Sequence, residues 1–533
     1  MASVYSEQPF RTANLRRETA QICVSGSASG GPETSASQRL APRITAEDHA
    51  QLDAQVRHRA TRGPLALLRE GELRSSRRDI IILGALALLV LAPGATSGSL
   101  ADWDEAIYAE VALQYHLTGD WLHPSWNGAP WYHKPPLAMW LTAAAYALAG
   151  VGEGTARLFS VLCGIGGVLA TYGIARSTLG RPVALISALI LLSTPHYFLF
   201  GKLAMLDAPL TCFLTLGFLA YWRAQSDPRW LLAAGAAFAT ALMIKGAAAV
   251  IGPLAVTLHA SLHRPSQLIG SRWLWLGLAV GLGIALPWHL YQHIEVGAAF
   301  WDQYFFYHTL LRTREAIEGH TGGPAYYLEV LVRRQRPWFL LALPAVLYCV
   351  FVARRERSKQ LSLFLCWITA VVGAVMTVQT RIAWYLLPIY PALSICTAFA
   401  LLRWIPERRL TALTTACLLV LVGQSIVSDN FFRADESPEG KALGSHVRAH
   451  LSADQRLHLY QVAPPAALFY GRHPVVSLSQ DQFESRLAAP DGSSFVLTRQ
   501  SVVSQAKAAG SLLDVVAQAG DQVLMRLGRP QDR

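Results

Sequence analysis

The chain has 533 residues, of which 52% are hydrophobic and only 15% charged, against roughly a quarter charged in soluble domains. The deficit lies in long apolar runs, which excludes a string of soluble domains and points to a membrane bundle. The formal charge of +11 does not call for nucleic acid, because Arg and Lys cluster in short loops between the apolar runs, the positive-inside pattern.

Residues 1–75 are rich in Arg, Ser, Gln and Glu with little apolar periodicity. They read as a cytoplasmic, largely disordered extension with a short helix near Ala46–Arg59. Arg74, Arg77 and Arg78 precede the apolar run Ile80–Ala92, which holds the N-terminus inside and sends the first helix outward. That run begins too far along the chain to be a cleaved signal peptide. A span needs about 20 apolar residues. Candidates follow at 80–99, 157–176, 182–200, 205–222, 230–246, 247–263, 272–292, 337–353, 361–379, 383–402 and 409–427.

Charge sides the loops. The segments 176–181, 223–229, 263–272, 354–359 and 403–409 carry Arg, Lys or His and read as cytoplasmic, so loops 101–135 and 293–336 face outward. An odd number of crossings must then separate Lys134 from His263, which requires that the short run 136–150 be re-entrant or interfacial. The expected fold is an all-α polytopic membrane bundle of about 11–13 transmembrane helices, with a large first periplasmic loop and a small C-terminal α/β periplasmic domain. The transmembrane domain is bounded at 76–428 and the accessory domain at 429–533. In the latter, Arg456–Val462, Val475–Leu478, Phe495–Thr498 and Gln522–Leu527 read as strands, and Ser437–Leu451, Gln480–Leu487 and Val502–Leu513 as helices. The seven cysteines are scattered, most of them inside apolar runs, with no CxxC pair; they read as buried small hydrophobes.

Charged groups at a bilayer edge are costly unless they pair or work. Three acids, Asp102, Asp104 and Glu105, stand immediately past the first membrane exit, and Glu110 follows. An Asp before a helix also serves as a cap, but this loop is too long and too aromatic to be only a connector. Asp207 stands at the outward end of a later run, two residues before Pro209, and Lys245 lies between two apolar runs on the same side. As bare features these read equally as a helix cap and a snorkelling lysine.

The string DEAIYAE at 104–110, then GDW at 119–121, YHKPPLAMWL from Tyr132 and Ala156-Arg157-Leu158-Phe159-Ser160 resemble the bacterial protein-mannosyltransferase-like and aminoarabinose-transferase-like family of C-type integral-membrane glycosyltransferases. The resemblance continues at Gly201–Pro209, Met243–Gly246 and Tyr385–Pro391 and covers roughly residues 80–400. It implies an inner-membrane enzyme that moves one sugar from a polyprenyl-phosphate donor to a lipid A-like or protein acceptor on the outer face, as a monomer, without nucleic acid. A glycosyl phosphate carries a good leaving group, so the paired carboxylates of hydrolases are not required. One base and a set of cations for the departing phosphate suffice.

By position in the family motifs, Asp104 is the candidate base, Glu105 its support or the group that orients a partner, and Asp207 the second acid. Lys134, with Tyr132 beside it, Lys245, Arg312 and Tyr385 are candidates to hold the donor phosphate. His133 stands where aminoarabinose transferases commonly carry an acid; with His308 it leaves a divalent metal open. The competing reading is a secondary transporter or lipid flippase using Asp207 and Lys245, against which stands the absence of an internal repeat.

Overall fold

The computed structural model describes residues 64–263, 265–317, 319–323, 325–428, 436–452 and 454–528. The helix expected near Ala46–Arg59 lies outside them. The chain divides into Met1–Leu73 and Arg74–Arg533; the bundle, the C-terminal domain and every expected site residue belong to the second part.

Most of the chain is helical. The first helix runs Pro64–Leu91, so residues 64–75, expected to be part of the extension, already belong to it. Among the described residues, six helices are long and apolar enough to cross a membrane: Glu153–Leu179, Trp230–Leu262, Arg272–Glu295, Lys359–Thr377, Ala383–Leu401 and Glu407–Val427. The pair Tyr326–Arg334 and Phe339–Glu356, bent by 116°, makes a seventh. About eleven were expected from runs of the length a span needs, and the difference has local causes. Run 182–200 is broken into Arg181–Leu192 and Pro195–Phe200, because Pro195 cannot continue the preceding ladder. Asp207–Arg223 has only 17 residues.

Trp230–Leu262 is not one straight rod. Lys245 Nζ meets Asp207 Oδ1 at one end of Asp207–Arg223, whereas His259 Nδ1 meets Tyr221 Oη at the other. The chain therefore doubles back between Lys245 and His259. The reversal occurs at the 3-10 turn Gly246–Val250, opened by Gly246 at φ +58, a conformation that side chains with a Cβ resist.

The two ends of the bundle differ in kind. At one end Asp79 accepts from Arg181 (2.8 Å) and Tyr172 (2.8 Å), and Arg181 reaches Glu407 (3.9 Å). At the other end lie Asp104, Lys134, Asp207 and Lys245, together with the C-terminal domain. The helix Leu137–Ala149 begins beside Lys134 and finishes where Val151 O accepts from Arg472 (2.6 Å) and Glu153 meets Lys441 (3.0 Å). Both of its ends therefore lie at the same end of the bundle, and it does not cross.

The C-terminal domain holds a five-stranded sheet. Its spatial order is Val475–Ser477, Leu457–Leu459, Phe495–Arg499, Gln522–Leu527, Leu513–Ala519. The first three strands are parallel and the last two pairings antiparallel. Alternation of side chains sends Leu457, Leu459 and Leu497 to one core and Val496, Val523 and Met525 to the other. The helix expected over Val502–Leu513 stops at Ala508. Gly510 at φ +81 turns the chain, and Leu513–Ala519, with its adjacent valines, becomes an edge strand.

Candidate active site

Asp104 and Glu105 open the helix Asp104–Thr118, where the helix dipole favours anions. The preceding Trp103 has φ 84, an unfavourable backbone for a residue with a bulky side chain. The two acids then part company. Asp104 faces a cavity of about 200 Å³. Glu105, 2% exposed, points into the protein: Oε1 accepts from Arg157 Nε (2.8 Å) and Ala204 N (3.0 Å), and Oε2 from Ala101 N (2.9 Å). Arg157 is fully buried and donates further to the carbonyls of Ala95, Ser97, Gly98 and Ser99. Glu105, expected to support Asp104 or to orient a partner, holds Arg157 and joins three chain segments beneath the loop that carries Asp104.

The cavity is lined by Asp104, Tyr108, His133, Lys134, Lys245, His308, Arg312 and Tyr385, with Trp103, Trp126, Trp131 and Trp384 around them. A second, more apolar cavity of about 390 Å³ adjoins it, lined by Asp207, Leu210, Ala247, Leu254 and Val375 among others. His133, Lys134, Lys245, His308, Arg312 and Tyr385 line both, so these six side chains form the wall between a polar chamber and an apolar one. They come from four separate segments. Asp207 Oδ1 accepts from Lys245 Nζ (2.5 Å), while its Oδ2, also buried, has no hydrogen-bond partner among the described residues. Lys245 Nζ lies 5.4 Å from the centre of the Tyr385 ring, and Arg312 Nη1 donates to Tyr385 Oη (3.3 Å). The carbonyl of Arg312 accepts from Gln379 N (3.0 Å) and Thr380 N (3.2 Å), which ties its loop to the turn before Tyr385.

His133 and His308 face each other with ring centres 3.7 Å apart. Burial, then Lys134 and Arg312, push His133 down to about 3. Burial, then Lys134, His133 and Arg312, push His308 lower still. Both are neutral imidazoles at neutral pH, and neither nitrogen of His308 has a partner among the described residues. Two such imidazoles are competent ligands, but zinc takes at least three protein ligands in its catalytic sites. No group of three His, Cys, Asp or Glu is placed to hold a metal among the described residues, so the donor set falls short of that pattern.

Of the residues expected from sequence, Asp104, Lys134, Lys245, Arg312, Tyr385, His133 and His308 converge, and Asp207 reaches them through Lys245. Tyr132 does not: it packs edge-on against Phe300 at 5.7 Å, in a cluster with Met243 and Trp288. The chain bends at His133 and Lys134, which parts Tyr132 from these two neighbours. The lining tryptophans and His320 were not expected from sequence, although the aromatic excess of the loop was the signal for the former. Arg157 was visible only as part of a motif string, and no local pattern names its partner.

Residues 133–291 match the family model described as dolichyl-phosphate-mannose-protein mannosyltransferase. A relative named undecaprenyl phosphate-alpha-4-amino-4-deoxy-L-arabinose arabinosyl transferase, from Shewanella sediminis, is 26% identical over 301 residues, 55% of this chain and 54% of its own length. A Pseudomonas fluorescens protein of that name is 30% identical over 319 residues, 58% and 56%. The crystal structure of ArnT from Cupriavidus metallidurans bound to undecaprenyl phosphate superposes with a TM-score of 0.71 at 20% identity, covering 85% of this chain and 99% of that one. The chain is similar to polyprenyl-phosphate-dependent C-type glycosyltransferases. It is a multi-pass membrane protein with the ArnT-like fold. It spans little more than half the length of the curated relatives it matches. The matched segments include KPPL at 134–137 and the region around Lys245, two of the segments that build the cationic wall.

Proposed function

We propose that this protein transfers a single sugar from a polyprenyl-phosphate donor to a hydroxyl or phosphate of a lipid A-like envelope lipid, another envelope glycan or a protein. The observation that carries the proposal is the wall itself. Three cations, Lys134, Lys245 and Arg312, stand between an apolar cavity and a polar chamber that holds one carboxylate, Asp104. A polyprenyl-phosphate sugar has that same order of parts. Its tail fits the apolar cavity, which continues through Gly246, Ala247 and Val250 into an apolar groove of about 890 Å³. Its phosphate meets the cations, and its sugar enters the chamber.

In this arrangement Asp104 takes the proton of the acceptor hydroxyl as its oxygen attacks the anomeric carbon. The bond from that carbon to the phosphate oxygen breaks, and polyprenyl phosphate leaves with the bond's electrons. Lys134, Lys245 and Arg312 stabilise the charge that grows on the leaving phosphate, in a site largely shielded from water. Asp207 holds Lys245 in place. The neutral imidazole of His308, with both nitrogens lacking partners among the described residues, is suited to hydrogen-bond a sugar hydroxyl. The inner membrane is the proposed location, with the site, the loops around 101–135 and 293–336 and the C-terminal domain on the periplasmic side and the N-terminus cytoplasmic. The Asp207–Lys245 pair stands at helix ends beside a long loop, whereas transporter sites favour the midplane of broken helices. This supports the enzyme over the carrier.

The test is release of undecaprenyl phosphate and transfer of labelled sugar by the purified full chain in lipid nanodiscs. Asp104→Asn should lower the rate about 10²–10⁴-fold, the usual worth of a positioned base, with donor affinity retained. Unchanged turnover in that variant overturns the base.

A further inference from the structure

We propose that the sugar taken by this site carries no basic amine. The inference rests on the transferase reading above and adds the chemical class of the transferred group. It comes from the charges that face the chamber and its apolar neighbour. Three fixed cations line both, Lys134, Lys245 and Arg312, and the acids among the described lining residues are Asp104 and Asp207. Asp207 is already committed to Lys245. A donor phosphodiester adds one negative charge, so a donor with an uncharged sugar brings the site to balance, and an ammonium on the sugar leaves it with a surplus positive charge beside three cations.

The remaining carboxylate cannot repair this. An ammonium seated on Asp104 would occupy the group that must receive the acceptor's proton and would weaken it as a base. The position next to the phosphate-binding Lys134 offers no help, since His133 there is a neutral imidazole rather than a carboxylate. The tryptophans of the chamber attract cations, but they also pack against the apolar face of an uncharged sugar ring. A surplus charge of the same sign is a means of rejecting the wrong ligand. The site therefore fits a neutral hexose or pentose and excludes an amino sugar.

The experiment measures displacement of labelled undecaprenyl phosphate from the full chain in nanodiscs at pH 7. The competitors are undecaprenyl-phosphate hexose, undecaprenyl-phosphate 4-amino-4-deoxypentose, and the latter with its amine acetylated. The neutral donor and the acetylated donor should each compete at least about tenfold better than the free amine, the effect of some 1.4 kcal/mol. His133→Glu, which supplies the missing carboxylate, should narrow that gap. Equal or tighter binding of the free amine overturns the inference while leaving the transferase reading intact. Failure of undecaprenyl phosphate itself to bind overturns both. The acetylated donor keeps the comparison decisive in the unsubstituted protein even where His133→Glu does not fold.

Discussion

Two buried acid–base pairs lie close to the site and do different work. In Glu105–Arg157 both carboxylate oxygens accept hydrogen bonds, and the guanidinium donates to four backbone carbonyls besides. In Asp207–Lys245 one carboxylate oxygen has no partner among the described residues, and the ammonium faces two cavities. Desolvation costs any buried pair several kcal/mol per ion, and only full hydrogen bonding repays it. A pair closed on all sides by protein is scaffold. A pair left open toward a cavity is completed by what enters the cavity.

The contrast is broken most readily at Arg157. Arg157→Met removes the buried guanidinium that donates to Glu105 and to four carbonyls, and should destabilise the protein by about 3–5 kcal/mol. The expected result is loss of monodisperse protein on size-exclusion chromatography in detergent. Adding Glu105→Gln should not restore it, because the carbonyls still lack the guanidinium's bonds. A double variant with the wild-type elution profile and melting temperature would show that the pair is not scaffold.

The open pair should behave in the opposite way. Asp207→Asn with Lys245→Met removes both charges together, so no uncompensated ion remains in the interior. The melting temperature should barely move. Sugar transfer should fall about 10²–10³-fold, the usual loss when a group that stabilises transition-state charge is removed. Retained transfer would assign the pair to structure.

The same division governs how much could be read from the sequence. The residues of the open wall were legible because chemistry restricts them: lysines and a carboxylate at membrane edges have few reasons to be there. Asp104, Lys134, Asp207 and Lys245 are of this kind. The closed pair was not legible, because Glu105 and Asp104 are adjacent and identical in charge. Only the helical rotation between neighbours sends one to the cavity and the other to Arg157, 52 positions away. Apolar run length located the helices but not their breaks, since Pro195 and Gly246 act on the backbone inside runs that remain uniformly hydrophobic. The edge strand Leu513–Ala519 was hidden in the same way, behind a helix that Gly510 ends.

A third buried acid sits between the two types. Glu110 is fully buried; its Oε1 accepts from Gln114 Nε2 (2.8 Å), and its Oε2 has no partner among the described residues. Burial pushes it up to about 8 from 4.5, with the Gln114 bond opposing. A carboxyl raised in the folded state contributes stability that is fully present below pH 4.5, where folded and unfolded chains both hold the proton. The contribution is lost as pH rises toward 8, because the unfolded chain then ionises and the folded one does not. The slope approaches 1.4 kcal/mol per pH unit at about its steepest. Glu110→Gln should flatten the melting temperature between about pH 5 and 8 and raise it at the upper end. An unaltered pH profile would place the titration elsewhere.

The smallest effect tests how far the closed scaffold extends. The C-terminal domain grips the loop that carries Asp104 on both sides of the cavity. Leu100 N donates to Tyr470 Oη (2.8 Å), Ser437 N to Ser99 Oγ (2.8 Å), and Ala466 N to Asp102 Oδ1 (3.0 Å). Farther along the loop, Ser477 Oγ donates to Asn127 O (2.5 Å), and Gly128 lies so close to the Val475–Ser477 backbone that a Cβ would clash. Asp102 is two residues from Asp104, with the unfavourable Trp103 backbone between them, and such conformations persist only where the surroundings over-determine them. Asp102→Ala should cost about 0.5–1 kcal/mol, the lower range for one hydrogen bond at an exposed carboxylate. Hydrogen exchange should quicken at the amides of residues 100–108 while the sheet of the C-terminal domain keeps its protection. Exchange that quickens throughout the domain instead would mean that Asp102 holds the domain together rather than the loop, and the brace on Asp104 would then rest on Tyr470 and Ser437 alone.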